Sequence, residues 1–161
     1  MERTLVTASR THVYVRASFL VLPLAIVFPM VLRWLGRIDW AKAVELPFSV
    51  VCHRLPERTL VFSGAPMPIC SRCAGMWMGF AFAAALAMPH FSIKRLRLIV
   101  LGAGLLLLLD VLAQDFGLHP FSHVTRFITG ALFAIPFGGT LGHLITRELR
   151  DGAPAIEGAP R

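Results

Sequence analysis

The chain is short of charge. Only 16% of its 161 residues are Asp, Glu, Lys or Arg, against about a quarter in soluble domains, and this argues against an ordinary soluble fold. Acidic residues are the scarcer kind: nine Asp and Glu stand against sixteen Lys and Arg, a formal charge of +7. Cysteine is rare, with three in all, which excludes a disulfide-dense scaffold. The low hydrophobicity that marks disordered chains is missing as well. No phosphate loop, Ser-His-Asp arrangement or nucleotide fingerprint occurs. What the chain has in excess is apolar surface, 56% hydrophobic residues and a mean hydropathy of +0.68, in a length suited to one domain.

The positive charge does not point to nucleic acid, because the basic residues mostly flank apolar runs, as they do in membrane proteins. These runs predict an all-α integral membrane protein with four transmembrane helices, over about residues 17–35, 73–93, 98–114 and 127–146. The first reaches membrane length only if Arg33 snorkels. A signal peptide is its rival, but no small-residue cleavage site follows. The third reaches membrane length only by including Asp110 and Gln114. Gly75-x-x-x-Gly79 and Gly130, Gly138, Gly139 and Gly142 give the second and fourth helices small faces for close packing. The long segment between helices 1 and 2, from Trp34 to Ser71, is expected to be partly re-entrant or interfacial. Residues 1–150 form a single domain on this reading, and 151–161 a disordered tail.

Orientation follows from the basic residues. The turn Lys94-Arg95-Arg97 has no acid beside it, and it shares a side with both termini. A multi-pass protein of the inner (plasma) membrane is expected, with both termini cytoplasmic and the long segment outside.

All three cysteines fall in or next to that segment, as Cys52-His53 and Cys70-x-x-Cys73. Thiolates two residues apart chelate one ion, and Cys52 with His53 would complete four ligands, most simply for zinc. The same pair could cycle between dithiol and disulfide, or the cysteines could simply pack a helix start. Met67, Met76 and Met78 nearby would suit copper(I), although methionine in an apolar helix is more often packing. Glu57 between Arg54 and Arg58 reads as an internal ion pair or, functionally, as a general acid or ligand. Asp110 and Gln114 share a face of the third helix. An ionisable residue in a span needs a partner, and Arg126 is the natural candidate. Span order places all three near Cys70, Arg72 and Cys73; an Asp–Arg pin between helices and a working site explain this equally. His119 and His123 read as a solvated pair or a weaker metal site. His90 and His143 read as polar boundary residues.

These residues resemble a family of small bacterial and archaeal membrane proteins, domain of unknown function 2085. The likeness rests on Cys52-His53-x-x-Pro56-Glu57-Arg58, Cys70-x-Arg72-Cys73-x-Gly75-x-x-x-Gly79, Asp110-x-x-x-Gln114 and Arg126-x-x-x-Gly130, across about residues 48–140. Val111 and Met76-Trp77 depart from the family's usual pattern. The resemblance implies that the polar residues act together; it implies no particular reaction.

The leading expectation is a metal site at Cys52, His53, Cys70 and Cys73, adjoining a polar pocket of Asp110, Gln114 and Arg126. Glu57, Arg58, Asp110, Gln114 and Arg126 are the candidates for any catalytic role. A membrane thiol oxidoreductase working with a quinone is the alternative. A non-enzymatic subunit of a larger membrane complex, a homo-oligomer, or a small transporter are the others. The bilayer itself is the one partner the composition requires.

Overall fold

The computed structural model describes residues 11–53, 55–86, 92–118 and 120–151. Among the described residues the fold has five α-helices and one hairpin. Helix α1 is Thr11–Trp34, with a 3-10 stretch at Ser18–Leu20. It is followed by α2, Ile38–Val51; the strands β1, Val61–Phe62, and β2, Ala65–Pro66; and the helices α3, Ser71–Leu86, α4, Ile93–Asp115, and α5, His123–Asp151. The all-helical expectation stands, apart from the short hairpin.

Among the described residues three helices are long and apolar enough to cross a membrane: α1, α4 and the His123–Leu149 part of α5. The expected second span corresponds to α3, whose 16 residues make a rod of about 24 Å at 1.5 Å per residue. By length and composition, then, three of the expected four spans qualify among the described residues. Residues 87–91, including His90, lie outside them, as do 152–161 of the tail. The large apolar side chains of α4 face outward and none of its residues is buried. A helix so apolar and so exposed is suited to lipid and not to water.

The best-packed contact is between α3 and α5, and glycine makes it possible. A Cβ on Gly75 would collide with the backbone of Phe127, one on Gly79 would sit 2.7 Å from the Ala131 carbonyl, and one on Gly138 would collide with Phe80. Positions ascend together along both helices, so α3 and α5 run parallel with their backbones almost touching. In lipid, where apolar burial drives little, this close approach lets dispersion hold helices together.

Helix α1 runs the other way. Near its start, Arg16 donates to the carbonyls of Ala84 and Ala85 at the end of α3, a favourable place for a cation. Its far end meets α2 through a turn at Gly36, φ +73°. There Arg33 grips Glu45 with two 2.8 Å hydrogen bonds. Glu45 is 2% exposed. Arg33, expected to snorkel past the membrane edge, instead pins α1 to α2, and Glu45 is what allows the apolar face of α2 to dock.

The hairpin turns at Ser63-Gly64, both at positive φ, and pairs Val61 with Pro66 and Phe62 with Ala65. This two-residue reversal matches the twist of the strands it joins. It brings Leu60 back to Met67, whose N–H donates to the Leu60 carbonyl at 2.9 Å. The chain is thereby delivered to the start of α3 close to where α2 ended. A small core forms there from Ile26, Cys52, Met67, Ile69 and Ala74.

Candidate functional site

The ends of α1 and α4 and the starts of α3 and α5 meet at this one end of the molecule. The convergence expected from span order is present, and two polar arrangements lie in it side by side.

The first is the cysteine cluster. Cys52 follows α2, Cys70 precedes α3 and Cys73 lies in its first turn, and their sulfurs all lie within 4.8 Å of one another. All three are free thiols, with Cys52 buried and the others half-buried. The Cys70 N–H donates to Cys52 Sγ at 3.3 Å, a contact that the hairpin creates across 18 positions. Cys70 occupies the capping position of α3, and its carbonyl accepts from the Ala74 N–H at 2.9 Å. Hydrogen bonding from the Cys73 thiol draws the Cys70 thiol down to about 5. Burial opposes the shift, and the N–H groups of Cys73 and Arg72 reinforce it. A helix N-terminus favours a thiolate in this way. The surroundings are apolar, with Met67 buried and Met30, Trp77 and Phe127 packed around.

His53 is exposed and stands outside this group of sulfurs. The reason lies in the backbone: Cys52 is extended, φ −145° and ψ 131°, and successive side chains of an extended chain point to opposite sides. Adjacency in sequence therefore separates Cys52 from His53.

The second arrangement is a chain of polar side chains across three helices. Arg72 donates to Asp110 Oδ2 at 2.7 Å. Gln114 Nε2 donates to Asp110 Oδ1 at 2.8 Å, and Arg126 Nη1 donates to Gln114 Oε1 at 2.8 Å. Thr129 also reaches Asp110 Oδ2, at 3.2 Å. The three residues named from the sequence are thus together, but the partner expected for Asp110 is corrected. Asp110 takes Arg72, in the first turn of α3, while Arg126 meets the amide of Gln114. Sequence reasoning missed Arg72 as the pairing residue, although its place directly before Cys73 was the available signal.

Glu57 is exposed on a 3-10 turn, Pro56–Arg58. Arg58 turns instead to Asp115 at 3.7 Å, both well exposed, so this pair contributes little. Arg54 lies outside the described residues, as does His119. His123 Nδ1 lies 3.4 Å from Ser71 Oγ. Beside Cys73, a cavity of about 440 Å³ is walled by Val51, Met76, Trp77, Phe80, Phe133 and Phe137.

The family model described as "Predicted membrane protein (DUF2085)" matches residues 52–139, a stretch that holds both arrangements. An uncharacterized protein of Methanothermobacter thermautotrophicus is 40% identical over 90 residues, covering 54% of this chain and 80% of the relative. Another, of Methanocaldococcus jannaschii, is 26% identical over 129 residues, covering 74% and 82% respectively. No solved structure matches.

Proposed function

The chain belongs to this family of predicted membrane proteins, and from that premise we propose that it is a four-span protein with a thiolate metal site at the outer end of its bundle. The observation that carries the reading is the gathering of three sulfurs, from two chain segments 18 positions apart, within 4.8 Å. Around a tetrahedral zinc ion, sulfurs at 2.3 Å from the metal stand about 3.8 Å apart, so the cluster needs only a small contraction. A thiol already drawn toward the thiolate, in an apolar shell, suits a soft divalent ion over calcium or magnesium. Cys52, Cys70 and Cys73 hold the ion, and zinc is the metal that donor set fits most simply. His53 could join only if the chain after Cys52 turned, so the fourth position is open on this reading. A bound metal would lock α2, the hairpin and α3 together and polarise whatever took the open position.

Four spans are supported by the parallel course of α3 beside α5, one of the long apolar helices, and by the alternation of helix ends at the site. The basic turn at Lys94, Arg95 and Arg97 lies at the other end, which favours a cytoplasmic location for it and for both termini. The location proposed is the inner membrane.

Elemental analysis of protein purified without chelators tests the metal. One zinc per chain, lost in Cys70→Ser and kept in His53→Ala, is the expected result. Metal-free protein whose three thiols alkylate freely would overturn it.

One observation favours a second reading. The 440 Å³ aromatic cavity has Cys73 in its wall and could seat a quinone. Cys70 and Cys73 would then pass two electrons and two protons to it, leaving a disulfide and a hydroquinone. A Cys70–Cys73 disulfide in protein trapped by alkylation before lysis would favour this reading over the metal.

A further inference from the structure

The chain of polar side chains from Arg72 to Arg126 does not balance. Arg72 and Asp110 neutralise one another at 2.7 Å. Gln114 then spends its amide N–H on Asp110 and its oxygen on Arg126, and so carries no charge across. Arg126 is left with a neutral acceptor although it is only 4% exposed. Its Nε is buried with no hydrogen-bond partner, and so is the Nε of Arg72. Burial works most against the charge of Arg126; Arg72 and Arg58 add to this, and Cys70 and Asp110 oppose it. Asp115, on Arg58 at 3.7 Å, is 56% exposed and weakly engaged. A buried guanidinium with spare donors, and no carboxylate paired with it among the described residues, is costly unless an anion joins it.

The local backbone has the same polarity. The starts of α3 and α5 lie side by side here, and each presents the positive end of its helix. Phe121 lies with its ring centre 5.0 Å from the Arg126 guanidinium carbon and is itself 44% exposed, so a partly exposed ring covers one side of the buried guanidinium.

We propose that Arg126, with Arg72 and Arg58 beside it, binds a phosphate-type oxyanion at this end of the bundle, either free phosphate or the phosphate of a lipid headgroup. A guanidinium fork meets two oxygens of such a group at once, and the spare Nε donors supply what the planar match needs. The site uses no sulfur, so it does not depend on the metal reading. Its internal competitor is the Cys70 thiolate, the anionic neighbour that acts on Arg126 alongside Asp110.

The test uses the full chain in detergent, reduced and metal-stripped. Sodium phosphate is titrated against sodium chloride at constant ionic strength while the unfolding temperature is read. Native mass spectrometry of the same protein reads retained phosphatidylglycerol. In the wild type, phosphate is expected to raise the unfolding temperature by a few degrees, and Arg126→Lys, which keeps the charge and loses the fork, should bind about tenfold more weakly or worse. Phe121→Ala, which removes no polar group, should bind at least as tightly as wild type. The response should persist in Cys70→Ser, which separates this site from the metal site. A phosphate response that Arg126→Lys diminishes assigns the site to free oxyanion. Retained phosphatidylglycerol that Arg126→Lys releases, without a phosphate response, assigns it to headgroups. If neither probe is sensitive to Arg126, the proposal falls. It falls equally if phosphate acts only in Cys70→Ser, because the thiolate is then the counter-ion.

Discussion

Arg72 and Asp110 meet at 2.7 Å between α3 and α4, with 14% and 11% of their side chains exposed. This is the one close ion pair joining those two helices among the described residues. Around it Gln114 and Thr129 use the remaining lone pairs of Asp110, as a carboxylate in a low-dielectric place requires.

Removing only one member should therefore be costly. Asp110→Ala leaves Arg72 and the Gln114 amide without their acceptor, and a loss of about 3–5 kcal/mol is expected. Unfolding in mixed micelles measures it. The double variant Arg72→Met/Asp110→Leu should recover much of the loss, because no uncompensated charge is left behind.

The α3–α5 contact makes a sharper demand. Gly75→Ala puts a methyl group into the backbone of Phe127, and overpacking of this kind costs about 1–3 kcal/mol. Gly102, on α4, has open space where a Cβ would stand, with nothing within 4 Å. Gly102→Ala should be neutral or gain up to about 1 kcal/mol from helix propensity. The same micelle unfolding experiment compares the two, and equal losses would contradict the parallel close approach.

Cys70 should behave as a thiolate at neutral pH. Its folded value, about 5, lies below that of an ordinary thiol. Its contribution to stability is therefore complete above the ordinary thiol range and is lost as pH falls through about 5. In reduced, metal-free protein, site-resolved iodoacetamide labelling of Cys70 should reach half its maximum near pH 5. Cys73→Ala, which removes the largest cause of the shift, should move that midpoint up.

Glu45 holds α2 against α1. Glu45→Gln keeps the shape and gives up the bidentate contact with Arg33. Arg33 is partly exposed and can rehydrate, so the cost is about 1–3 kcal/mol. Hydrogen exchange should rise in α2 first. Lys42→Gln, at an exposed position of the same helix, should change little.

The elements legible in the sequence share a physical cause. Apolar runs had to become helices because lipid satisfies no backbone hydrogen bond, and small residues at spacing four had to lie on one face. The order of runs then placed Asp110, Gln114 and Arg126 near Cys70 and Cys73 without any knowledge of contacts. The hairpin was not legible, since two-residue strands carry no periodicity. The Arg33–Glu45 grip was hidden because the opposite charge at helical spacing from Glu45 is Lys42, three residues before it, whereas Arg33 lies twelve positions away on another helix.

The sequence alone therefore determined a membrane-type chain, sparing in charge, and the end of it where the polar groups collect. Which of those groups touch was decided only by the tertiary structure. Two arginines were available to Asp110, and only the glycine-tight seating of α3 against α5 brought Arg72 to it and left Arg126 facing an amide. Two neighbours competed for one cluster, and only the extended turn after α2 carried Cys52 in and His53 out. Charge and spacing say what can pair; the path of the backbone chooses, because hydrogen bonds and sulfur contacts act over a few ångströms and sequence distance does not measure them.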